Sequence, residues 1–118
     1  MKILRGIIRV KNLLTGRDES NGRYKSCVNC GPWKDHWQNC NRAGEDFEGQ
    51  LCANTTCGRL AEVGGHVKKV EAEDDDWYII PLCRACNSMF GEEFDIPSST
   101  MMVPANQAKS CGRPRHSQ

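Results

Sequence analysis

The chain has 118 residues, 38% of them apolar, with eight cysteines, eleven glycines and five prolines. So short a sequence is expected to form one domain, or two very small lobes, around a thin core that needs additional cross-links. A net charge of +1 argues against a strongly basic nucleic-acid binder, although residues 1–34 carry eight Lys or Arg against two acids and residues 35–95 carry five against thirteen.

The opening MKILRGIIRVKNLL interrupts its apolar residues with Arg5, Arg9 and Lys11, so it lacks the continuous hydrophobic region of a signal peptide. No run of 18 apolar residues exists to span a membrane. A reducing, cytoplasmic setting is therefore expected, in which closely spaced thiolates are held by zinc rather than oxidised. A small secreted disulfide domain is the alternative.

In chain order, Ile3 to Val10 reads as a strand, and residues 12–26 as a turn-rich link into the first cysteine pair. CVNCGPWKDHWQNC follows. Cys27-x2-Cys30-Gly31 has the form of a zinc knuckle, and His36 and Cys40 stand four apart on a short helix begun after Pro32. Cys27, Cys30, His36 and Cys40 are thus one candidate ligand set; the alternatives are that His36 packs between Trp33 and Trp37, or that Cys111 replaces one ligand. Residues 41–50 read as a loop, and Cys52-x4-Cys57-Gly58 as a second turn.

RLAEVGGHVKKVEA is expected to run through a strand pair, broken or bulged at Gly64-Gly65. The acidic residues Glu73 to Asp76 suit an exposed turn, and Trp77 to Cys83 the returning strand. Cys83-x2-Cys86 opens RACNSMFGEEF, read as a helix of two or three turns with Met89, Phe90 and Phe94 on its core face. SSTMMVPANQ suits an extended edge segment and the remainder a basic tail. Cys52, Cys57, Cys83 and Cys86 form the stronger ligand set, because two close pairs can place four sulfurs around zinc and leave no open position. The boundaries drawn are 1–23 for a basic strand and linker, 24–50 for a knuckle-like lobe, 51–96 for the main zinc domain and 97–118 for an extended segment and tail.

The combination of GGHV with IIPLCRACN, over about residues 50–92, resembles the HNH endonuclease family. The resemblance implies a small α+β zinc-bound domain, with a treble-clef ββα-metal core beside the additional N-terminal zinc-knuckle-like lobe. It further implies hydrolysis of DNA phosphodiester bonds, with His66 activating water and Asn87 helping to bind magnesium or another divalent cation. Many family members carry Asp or His directly before the strand histidine as the other ligand; here that residue is Gly65. Asp76 falls in the region where many members place the asparagine that orients the histidine. The alternative is a catalytically inactive, zinc-stabilised module that binds nucleic acid or a protein partner. Arg5, Arg9, Lys11, Arg113 and Arg115 would then reach phosphates, and Trp33 and Trp37 would stack on bases.

Overall fold

A computed structural model of the chain describes residues 6–13, 26–27, 30–72 and 76–106. The turn-rich link from residue 14 to 25, the acidic residues 73–75 and the tail from residue 107 lie outside the described residues.

Five strands form an antiparallel sheet in the order β6-β1-β4-β5-β7. They are β1 (Ile7–Asn12), β4 (Val63–Lys69), β5 (Tyr78–Leu82), β6 (Glu93–Pro97) and β7 (Val103–Pro104). A two-stranded ladder, β2 (Ser26–Cys27) with β3 (Gly31–Pro32), shapes the first cysteine turn, where Gly31 takes φ 91°. That left-handed conformation is open to glycine without steric cost. Helix α1 (Trp33–Cys40) starts directly after Pro32, and Trp33, His36 and Trp37 make its buried stripe.

Because side chains alternate along a strand, the sheet has two inner faces and a small core on each. On one face Val10, Val67, Ile80, Leu82, Phe94 and Ile96 pack with Cys52, Cys83 and Cys86. On the other, Ile79 and Val103 pack with Trp33, Trp37 and Phe47, against Cys30 and Cys40. Each core is thus closed by one thiol cluster, as expected where apolar burial alone is thin.

Expectations about β4 and about the segment after Cys83 are corrected. Strand β4 runs without interruption through Gly64 and Gly65, which pair in continuous register with Pro81 and Ile80. The two glycines serve close packing rather than a bulge. A Cβ at Gly64 would lie 2.7 Å from the carbonyl carbon of Trp33 and 2.9 Å from the Lys34 nitrogen, so the start of α1 rests on this bare strand.

The helix after Cys83 is also shorter than expected. Helix α2 spans only Arg84–Asn87, and residues 93–97 form β6 instead. Gly91 turns the chain at φ 84°, and β6 pairs along the length of β1, from Ile7↔Pro97 to Lys11↔Glu93. Non-local pairing here overrides helical spacing. Phe94 is buried on that strand, whereas Met89 and Phe90 are 40% and 49% exposed.

Asn12, a residue without a sequence-level signal, holds the end of α2. Its side-chain amide donates to the carbonyls of Asn87 and Met89 at 2.9 Å and lies 3.2 Å from that of Cys86. Replacing it with Ala leaves these acceptors at a buried position without that donor, a loss of about 1–3 kcal/mol. The measurement is the urea midpoint of Asn12→Ala against the unaltered chain; an unchanged midpoint contradicts the assignment.

Candidate metal centres

The second cysteine turn is built by Asn54, whose side-chain oxygen accepts from the Thr56 backbone N–H at 3.1 Å while its carbonyl accepts from that of Cys57 at 2.9 Å. The Ala53 N–H donates to the Pro81 carbonyl at 2.8 Å, fastening this turn to β5. Strand β5 leads directly into Cys83, and α2 carries Cys86. The sulfurs of Cys52, Cys57, Cys83 and Cys86 all lie within 4.8 Å of one another.

The Cys57 and Cys83 sulfurs are 3.7 Å apart, too far for a disulfide, whose bond is about 2.05 Å. A zinc tetrahedron with Zn–S bonds of about 2.3 Å has an S···S edge of about 3.8 Å, so the spacing suits thiolates sharing an ion. The six cysteines whose side chains are described are free of disulfides. The Cys86 N–H and the Asn54 amide direct hydrogens at the Cys83 and Cys86 sulfurs, at 3.4 and 3.5 Å, which favours thiolates. Burial nevertheless pushes the Cys52 thiol up to about 12 in the metal-free chain, so loading the site displaces protons.

The first cluster joins Cys30, His36 and Cys40, whose ligand atoms also lie within 4.8 Å of one another. Residues four apart on α1 bring His36 and Cys40 to one side. His36 Nε2 sits 2.9 Å from the Pro104 carbonyl oxygen. A carbonyl only accepts, so Nε2 carries the hydrogen and Nδ1 keeps the lone pair for a metal, an arrangement typical of metal-binding histidines. Burial lowers the His36 pKa, against the effect of Pro104, which keeps the ring in the neutral, ligating form. The Cys27 backbone pairs with Gly31 beside this cluster; its side chain and Cys111 lie outside the described residues.

His66 and Asn87 occupy opposite faces of β4. His66 shares the face of Gly64 and meets Trp33 edge-on, with ring centroids 4.7 Å apart. Its other aromatic neighbour is Trp77, at 6.0 Å. Asn87 lies on the face of Gly65, where a Cβ would fall 2.8 Å from its Oδ1 and 2.4 Å from Leu82 Cδ1. Position 65 does face Asn87, but Leu82 fills the space in which a second ligand would stand. Asp76 precedes Trp77 on the approach to β5 and is partly buried. Trp33 and Trp37 are core residues and not the stacking surface considered from the sequence. Arg9 is engaged by Asp95 at 3.0 Å and Glu93 at 3.6 Å.

His66 is 4% exposed, and burial, followed by the field of His36, holds its pKa down to about 4. The unfolded chain takes up a proton near pH 6.5 that the folded one refuses until about pH 4. Stability is therefore undiminished by this group above pH 6.5 and falls by about 3 kcal/mol as the pH drops to 4. Urea unfolding of His66→Phe and the unaltered chain at pH 7.5 and 4.5 checks this: the variant is expected to gain relative stability at the lower pH. An equal acid loss in both would remove the assignment.

Comparison of the chain with protein-family models, curated proteins and solved structures finds no match. The likeness to the HNH family thus rests on the order of its sequence segments. The structure shows a small mixed α+β domain with two Cys/His clusters compatible with zinc. Among the described residues no helix is long and apolar enough to cross a membrane.

Proposed function

We propose that this chain is a zinc-stabilised binding module on an HNH-like scaffold, with nucleic acid or a protein as its partner, rather than a working phosphodiester hydrolase. The observation that carries this reading is the convergence of Cys52, Cys57, Cys83 and Cys86 into one four-sulfur cluster at the junction of β5 and α2. Four thiolates satisfy zinc and leave no position for water or substrate, which makes the ion structural. Zinc also suits Cys30, His36 and Cys40, with Cys27 or Cys111 as the sequence's candidates to complete the set.

Turnover of a phosphodiester requires a base within reach of water and a cation at the transferring phosphate. His66 lies under Trp33, and Leu82 occupies the space beside Asn87. Two surface grooves, of about 530 and 490 Å³, are lined by other residues. These contacts support binding better than catalysis by His66, Asn87 and Asp76.

The test is zinc-loaded protein incubated with single- and double-stranded DNA in magnesium, manganese or nickel, with His66→Ala as the control for contaminating nuclease. No cleavage is expected, together with about two zinc ions per chain, as the two clusters require. Cleavage lost in His66→Ala, with zinc content retained, would replace this reading by the endonuclease. A nucleic-acid partner further requires that binding weaken steeply with added salt; salt-insensitive or absent binding assigns the module to a protein partner.

A further inference from the structure

The two clusters differ in what surrounds them. In the four-cysteine cluster Cys52, Cys83 and Cys86 are buried and only Cys57 is half-buried, whereas in the first cluster Cys30 and Cys40 are both half-buried around a buried His36. Water and competing ligands therefore reach the first cluster more directly. The element that carries it is also weaker by itself: α1 has eight residues and no side-chain hydrogen bond at its N-terminus, shorter than a helix that persists unaided in water.

Helix α1 is also the cover over His66. Its first turn rests on Gly64, and Trp33 lies edge-on against both the His66 ring, at 4.7 Å, and the His36 ring, at 5.0 Å. The His36 ring thus bridges the cluster and the covering indole, and through Nε2 it meets Pro104 on β7. Trp37 adds a second tie, donating to the Met101 carbonyl at 2.7 Å.

We propose that the Cys30–His36–Cys40 cluster is a releasable soft-metal site that latches α1 over His66, so that loss of its ion uncovers the imidazole while the four-cysteine site stays loaded. The proposal rests on the two-zinc reading above. Thiolate and imidazole donors select zinc or cadmium over magnesium or calcium. The opening is local, because the core on the opposite face of the sheet keeps its own cluster and its own apolar residues.

The full chain, saturated with zinc, is titrated at pH 6.5 with chelators of increasing strength. Zinc release, tryptophan emission, far-UV circular dichroism and carbethoxylation of His66, separated from His36 and His116 by peptide mapping, are followed together. The reagent attacks neutral imidazole, and His66 is neutral at this pH, so protection reports the cover and not protonation. The expected result is that one zinc equivalent leaves first, with a change in tryptophan emission and retained strand signal. The His66 reaction rate then rises about tenfold or more, as for a group released by local opening. Cys40→Ser is expected to bind one zinc and to show the fast His66 reaction from the outset; if that variant does not fold, the titration of the unaltered chain decides.

Release of both ions in one step with global unfolding overturns the proposal, as does a His66 that stays protected after the first ion has gone. A chain that binds one zinc at the four cysteines also overturns it while leaving the structural-zinc reading in place. A chain that binds none removes both.

Discussion

Replacing Cys83 with serine is expected to unfold the domain. Serine keeps a side-chain acceptor for the Cys86 N–H, so the start of α2 retains its cap and the change falls mainly on metal binding. Structural zinc contributes about 10–16 kcal/mol of apparent binding free energy, comparable to or greater than the whole stability of about 5–15 kcal/mol usual for a domain. Zinc content by elemental analysis should fall by at least one ion per chain, the strand signal in circular dichroism should be lost, and proteolysis should become rapid. A Cys83→Ser protein that keeps the unaltered urea midpoint would show that this sulfur cluster does not organise the fold.

Gly64→Ala carries the second large effect, through a single methyl group. The added carbon would sit 2.7 Å from the Trp33 carbonyl carbon, 2.9 Å from the Lys34 nitrogen and 2.8 Å from Ile79 Cγ2. Two of those atoms are backbone, so relief requires α1 to lift from the sheet, at a loss of about 3 kcal/mol. Movement of α1 should also weaken zinc binding at Cys30, His36 and Cys40 while sparing the four-cysteine site. Gly65→Ala is the informative comparison, because its nearest obstacles are the side-chain ends of Leu82 and Asn87, which have more freedom to yield. Urea midpoints with zinc counted per chain separate the two; equal and small losses at both positions would contradict the close approach of α1 to β4.

The two Cys/His clusters were legible because their signal is local. Cys-x2-Cys, a four-residue His-Cys spacing and a glycine after a cysteine turn each act within one turn of chain, and the two described clusters group seven of the residues those spacings single out; the Cys27 side chain lies outside the described residues. The hairpin of β4 and β5 was legible for the same reason, from apolar runs on either side of an acidic segment. Long-range pairing was not. MFGEEF has the spacing of a helix face, yet residues 93–97 find β1 as a partner from the other end of the chain, and Gly64-Gly65 resembles a strand break until α1 is placed on it. Asn12 gave no warning because its three acceptors lie on a distant helix end. The face to which His66 points follows from strand alternation, but what covers that face depends on Trp33, contributed by α1.

The position of β1 also governs how the molecule is assembled. Val10 pairs with Lys69 on one side and Phe94 on the other, so β1 lies between two neighbours that follow it much later in the sequence. Both thiol turns can capture ions while β1 still waits for its second partner, and closure of the sheet is a late, non-local event that slows folding. Until β6 arrives, one edge of β1 lacks its ladder and is exposed to pairing with other chains. Metal supplied during translation would therefore secure the hairpin and α2 in advance, leaving a preformed surface on which the first strand can dock.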